Sequence, residues 1–227
     1  MPAAVPSPAT PLEVTDVHGL LCAIENTARA GRVPLVTAAH GQSADPVAIV
    51  ADTVHFLMVL HGELPSVFDL VAQALPELTD PIASGAGAFA ADREWLTRLV
   101  VLTGPRLDLT GISDAETTVR ALRDALLTLA TSSRDGCALG TLLTVFATWS
   151  DLVDALDTAG TLAFSARWPS RKSIWSAETL DTILTAAEAL YAERPRARAI
   201  AFGAQQCGLL HQQLLELVSA RAASRSI

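Results

Sequence analysis

Apolar residues recur along this chain three and four positions apart, the spacing of one helical face, and no alternating run reads as a convincing strand. Val17, Leu20, Leu21, Ile24 and Ala28 define a first helix, predicted from about Leu12 to Ala30 with Gly31 as its stop. Residues 32–44 read as a connector. Asp45-Pro46 then offers an N-cap and a proline at the first helical position, where its missing N–H breaks no intrahelical bond. The second helix continues to about Leu75, with a kink or break near Gly62 and Pro65. Asp80-Pro81 repeats the start signal for a third helix, stopped by Gly104-Pro105, and Ser113 with Glu116 matches a capping box that opens a fourth, ending near Thr131. Asp135-Gly136 opens a fifth, from about Cys137 to Thr158, closed by Gly160. Ser176 caps a sixth to about Ala192, and Pro195 opens a seventh to about Ala222. The pattern predicts an all-α protein: a Pro-rich arm over residues 1–11, then a single helical bundle over 12–227. About seven helices are expected, joined by short connections that make most neighbours antiparallel.

Against that pattern three polar residues stand out. His61 falls on the side of the second helix that carries Val47, Val50, Val54, Met58 and Phe68, while Asp52, Thr53 and Glu63 point broadly the other way. Asp92 falls among Phe89, Trp95, Leu96, Leu99 and Val100, and His211 sits near the centre of the stripe formed by Ile200, Ala204, Cys207, Leu214, Leu215 and Val218. An amphipathic helix turns its stripe to the core, and a buried polar group without a partner costs about 1–3 kcal/mol. His61, Asp92 and His211 therefore form a candidate interior polar site. Two imidazoles and a carboxylate could ligate a divalent metal with open positions, or a His–Asp pair could do acid–base work. Each also reads as a core polar group satisfied by a backbone carbonyl, a hydroxyl or buried water.

A second candidate lies where the periodicity lapses. Residues 161–175 have no clear period, and Arg167, Trp168, Arg171, Lys172 and Trp175 crowd two tryptophans, two arginines and the chain's only lysine into nine positions. This reads either as a lid or anion-binding loop, or as a connector pinned to the bundle by its tryptophans. Asp151, Asp154 and Asp157 lie opposite Trp149 and read as a solvated face. Arg194, Arg196 and Arg198 gather where the last helix begins and oppose its dipole, a conflict answered by a bound anion or by Glu188 and Glu193. Gly85 and Gly87 fit no dinucleotide fingerprint and read as small residues that let a neighbour approach. Cys207, one turn before His211, reads as a small buried hydrophobe.

Composition narrows the function classes. Half the residues are apolar, 18% are charged, and the net charge is −8; the mean hydropathy is +0.36. Scattered, outnumbered basic residues argue against nucleic acid as a partner. The apolar surplus suits a homodimer interface or a pocket for an apolar small molecule. Three cysteines far apart, with no Cys-x-x-Cys pair, indicate neither a zinc site nor a disulfide framework, and suit reduced thiols in a cytoplasmic protein. No uninterrupted apolar run approaches the ~20 residues that cross a bilayer, so no membrane is expected. Glu-x-x-His pairs, His-Glu-x-x-His, a phosphate-binding loop and Gly-x-Ser-x-Gly are all absent, and the sequence names no cofactor.

Around Arg134–Gly140 (RDGCALG) with Trp149 beyond, and Phe202–Gln206 (FGAQQ) with His211 after, the chain resembles a family of uncharacterised helical proteins from high-GC alphaproteobacteria. The resemblance covers about half the chain; it implies an all-helical fold and a bacterial source, and carries no activity with it. In length and helix count the chain is also similar to the haem-oxygenase-like helical enzymes. The expected function is that of an interaction or small-ligand-binding protein. The alternative is an enzyme with an interior site built on His61, Asp92 and His211.

Overall fold

The computed structural model describes residues 16–43, 45–104, 112–173 and 175–225. The Pro-rich arm, and the part of the first helix expected before Asp16, lie outside these. Among the described residues there are nine α-helices and no strand: α1 (Val17–Gly31), α2 (Val33–Ala39), α3 (Pro46–His61), α4 (Val67–Ala74), α5 (Thr79–Thr103), α6 (Ile112–Ala130), α7 (Cys137–Phe164), α8 (Ala177–Tyr191) and α9 (Arg194–Arg225). The all-α expectation holds, with two more helices than the seven expected.

Both extra helices have local causes. Residues 33–39, expected as connector, form α2: Pro34 sits in the first turn, where proline is tolerated, and Leu35 and Ala38, one turn apart, are buried. At Gly62 to Pro65 the chain breaks rather than kinks. Ser66 restarts it as α4 through a capping box with Asp69, a Ser-x-x-Asp signal visible in the sequence. Elsewhere the start signals act as expected, Asp45 accepting from the Ala48 amide at 3.0 Å and Ser176 from Thr179. Two expectations shift. A single 3₁₀ turn over Pro76–Leu78 leads straight into α5, which begins at Thr79 without a side-chain cap, and α6 begins at Ile112, so Ser113 lies within it.

One core draws on all nine helices, and α3 and α7 run through its middle. The core covers most of α3: Asp52 and Thr53, expected on a solvated side, are buried along with His61, while Val47 at the first turn is exposed. The Asp52 carboxylate is held by Arg221 Nε at 3.0 Å and by Arg225, both from α9. Among the described residues α7, with the turn that follows it, is long and apolar enough by length and composition to cross a membrane; 67% of its most apolar stretch is buried inside the bundle.

Helices α7 and α9 make the tightest crossing. A Cβ on Gly140 would lie 1.9 Å from the Ile200 carbonyl oxygen, and one on Gly203 would lie 2.1 Å from that of Cys137. At this distance Thr144 Oγ1 reaches across to the Ala204 carbonyl at 3.0 Å. Gly136 opens α7 at φ 102°, a conformation glycine adopts without a Cβ clash. Gly160, expected to close this helix, instead lies inside it. Its bare surface receives the Trp168 ring, which a Cβ would meet at 2.1 Å.

Candidate functional site

His61 closes α3 and His211 lies in the middle of α9, and the packing brings the two imidazoles together. Their Nε2 atoms are 3.0 Å apart, with the ring planes inclined by 20°. Both rings are buried. His211 Nδ1 lies 3.0 Å from the Cys207 carbonyl oxygen, an acceptor, so Nδ1 carries the proton. In the neutral ring His211 Nε2 is then the acceptor, and His61 Nε2–H donates to it. Burial, then the charges of His211, Arg123 and Arg93, hold the His61 pKa well below its ordinary value. Burial also lowers that of His211, against the Cys207 carbonyl, which raises it. Both rings are therefore neutral near pH 7. Arg123, buried on α6, completes the surroundings by donating to the Leu60 and Glu63 carbonyls at 2.9 and 3.1 Å, closing the end of α3.

This arrangement gives a signed pH dependence. Unfolded imidazoles take up protons below about pH 6.5, whereas the folded pair resists them. The stabilisation is complete above that pH and is lost as the pH falls towards the depressed folded values. The slope approaches about 1.4 kcal/mol per pH unit for each histidine. Urea unfolding at pH 7.5 and 5.5 should show this loss in wild type and a smaller one in His61→Gln. Equal losses in the two proteins would mean that the pair is not what resists protonation.

Asp92 does not join the histidines. Trp149 stands between them, its ring edge-on to His61 with centroids 4.9 Å apart and its Nε1–H donating to Asp92 at 2.9 Å. The fully buried Asp92 carboxylate also accepts from Trp175 Nε1 at 2.8 Å, from Arg171 Nε at 2.7 Å and from the Ser173 hydroxyl. The two candidate groups thus meet at Asp92 rather than at the histidines. Among the described residues no three His, Cys, Asp or Glu side chains are placed to hold one metal ion.

The rest of the loop is pinned along the same face. Trp168 Nε1 donates to Asp157 at 2.7 Å, its ring stacks on Phe164 and meets Trp95 edge-on, and Trp95 Nε1 donates to the Pro169 carbonyl at 2.9 Å. Arg171 also pairs with Asp154, and the Arg167 guanidinium lies 5.9 Å from the Phe164 ring centre. Lys172 is exposed. The acidic side of α7, read as merely solvated, is where this loop docks. At the basic start of α9, Arg196 meets Asp135 at 2.6 Å and Glu193 at 3.0 Å.

Two concavities flank the place where α1 ends against α9, and Gly31 lines both. The larger is a groove of about 300 Å³, walled by Ala30, Val33, Pro34, Ile49 and Ala222, with Thr37, Glu216 and Ser219 as its polar members. No residue on this wall belonged to either sequence candidate. The smaller is a crevice of about 10 Å³ between Arg32, Thr148, Leu152, Gln212 and His211.

No curated protein and no solved structure shows a significant match to the chain. A family model does match, over residues 25–226. That span takes in every helix from the middle of α1 onward, the histidine pair, the loop on Asp92 and both concavities. The chain belongs to DUF6975, a family of unknown function.

Proposed function

We propose that this protein binds a small, mainly apolar molecule in the groove between α2 and α9. The observation that carries the reading is the groove itself: about 300 Å³, the lower end of the ligand-pocket range, with mostly apolar walls and three polar side chains, Thr37, Glu216 and Ser219, to fix orientation. Val33 on its wall is 55% exposed, and Val36 and Val47, on the two helices beside it, are 43% and 44% exposed. Apolar surface left at such a concavity favours an apolar occupant. The size suits a molecule rather than a helix or an extended peptide.

The acid–base alternative has less to support it. His61 and His211 spend their facing nitrogens on each other, and His211 spends its remaining nitrogen on a backbone carbonyl. Asp92 is occupied by four donors. A second copy of the chain on the same face would bury the same valines, and light scattering separates the two occupants, because a monomer leaves the groove to a small molecule.

The test is titration with the neutral fluorophore N-phenyl-1-naphthylamine. Ser219→Trp fills the groove from α9 and Val33→Glu places a charge on its exposed wall; both should weaken binding at least about tenfold, the equivalent of about 1.4 kcal/mol. Equal affinity in both variants and wild type would place the fluorophore elsewhere.

A further inference from the structure

The three polar side chains of the groove share one property: none has a hydrogen-bond donor to spare. Thr37 Oγ1 donates its proton to carbonyls of its own helix, Pro34 at 2.8 Å and Val33 at 3.1 Å. Ser219 Oγ donates to the Leu215 carbonyl at 3.0 Å. A hydroxyl has a single proton and two lone pairs, so each of the two keeps only lone pairs for a ligand. Glu216 is a carboxylate, an acceptor only.

Charge points the same way. Glu216 is the one charged residue among those lining the groove. It accepts from Gln212 Nε2, a neutral donor, at 2.7 Å, and among the described residues no cation pairs with it. Arg221 and Arg225, close to Ala222 in α9, are held by Asp52 and are not part of the wall. The C-terminal end of α1 and the N-terminal end of α2 meet at Arg32, so their opposite partial charges offset each other.

We infer that the ligand of this groove is an apolar primary amine, bound as its ammonium ion, with Glu216 as the charge that selects it. The inference rests on the groove being a ligand site. An ammonium brings three donors and no acceptor, the complement of a wall whose polar side chains only accept. Val33, Ile49 and Ala222 cover the apolar body. An alcohol of the same shape brings one donor and no charge, and a carboxylate brings acceptors and the wrong sign.

The test is displacement of N-phenyl-1-naphthylamine by three molecules with the same ring and chain length: 3-phenylpropylamine, 3-phenyl-1-propanol and 3-phenylpropionate. At pH 7 and low salt the amine should bind wild type at least about threefold more tightly than the alcohol, as a solvent-screened ion pair allows, and the acid should bind weakest. Glu216→Gln should bring amine and alcohol within about twofold. Glu178→Gln, an equal change of charge at an exposed site on α8 that lines neither concavity, should keep the preference and so exclude general attraction to an acidic chain. The fluorophore is uncharged, so its loss in Ser219→Trp reports on the groove apart from the amine. A fluorophore lost in Ser219→Trp but displaced from wild type as well by the alcohol or the acid overturns the amine and leaves the groove standing. A preference that survives Glu216→Gln, or is lost equally in Glu178→Gln, also overturns it. A fluorophore that never occupies the groove overturns both readings. If Glu216→Gln does not fold, the ranking in wild type and Glu178→Gln decides.

Discussion

Replacing Asp92 by alanine should lower the unfolding free energy by about 3–5 kcal/mol, the cost of removing one partner from a buried charge pair. The carboxylate is fully buried and accepts from the Trp149 and Trp175 indoles, from Arg171 and from Ser173. Without it two indole N–H groups face the core unpaired, and Arg171 keeps only the Ser173 hydroxyl and Asp154, a more exposed carboxylate. The second consequence is local. Three of the four donors belong to the loop between α7 and α8, so the loop should detach at a smaller cost than global unfolding. Lys172 in that loop is the only lysine in the chain, so a lysine-specific protease reports on it alone. Cleavage after Lys172 should be about 10- to 100-fold faster in Asp92→Ala than in wild type, as expected where opening precedes cutting. Equal cleavage rates would show that Asp92 does not hold the loop.

The second large effect is at the crossing of α7 and α9. In Gly140→Ala the new methyl would lie 1.9 Å from the Ile200 carbonyl oxygen and 2.8 Å from the Ala204 nitrogen. These are backbone atoms that no rotamer change can move, so the helices must separate. Separation also breaks the Thr144 to Ala204 hydrogen bond. Overpacking against side chains usually costs 1–3 kcal/mol; against backbone the loss should be about 3 kcal/mol or more. Gly87→Ala is the control. Gly87 is an exposed position within α5, and a Cβ there meets nothing within 4 Å. Alanine should stabilise that helix by about 0.5–1 kcal/mol. Urea denaturation of the two variants should therefore move in opposite directions, and a mild loss in Gly140→Ala would mean that the crossing is looser than described.

The same contrast marks how far the sequence could be read. Gly85 and Gly87 look alike two residues apart; a Cβ on the first would meet the Phe146 ring at 2.1 Å, and one on the second faces open space. Local periodicity placed His61, Asp92 and His211 in apolar stripes, and all three are buried. Which of them meet was not legible, because their partners come from 57 to 150 positions away in the chain. The Arg171, Ser173 and Trp175 groups that occupy Asp92 lie in a segment without period, which gives no phase from which to aim a side chain. Asp52 went unread for a different reason. The more open side of α3 is the one that carries Val47, Ala51, His55 and Met58, so a two-sided reading phased on Val47 and Met58 pointed Asp52 outward although it faces the core. The groove was invisible because it is made where four separate helices end or cross.

Ligand binding in the groove is tested by the N-phenyl-1-naphthylamine isotherm of wild type beside that of Ser219→Trp, with light scattering on the same samples. One saturable site per monomer is expected in wild type and an at least tenfold weaker site in Ser219→Trp, at unchanged thermal stability. An isotherm that is identical in the two proteins, or absent from both, would contradict it.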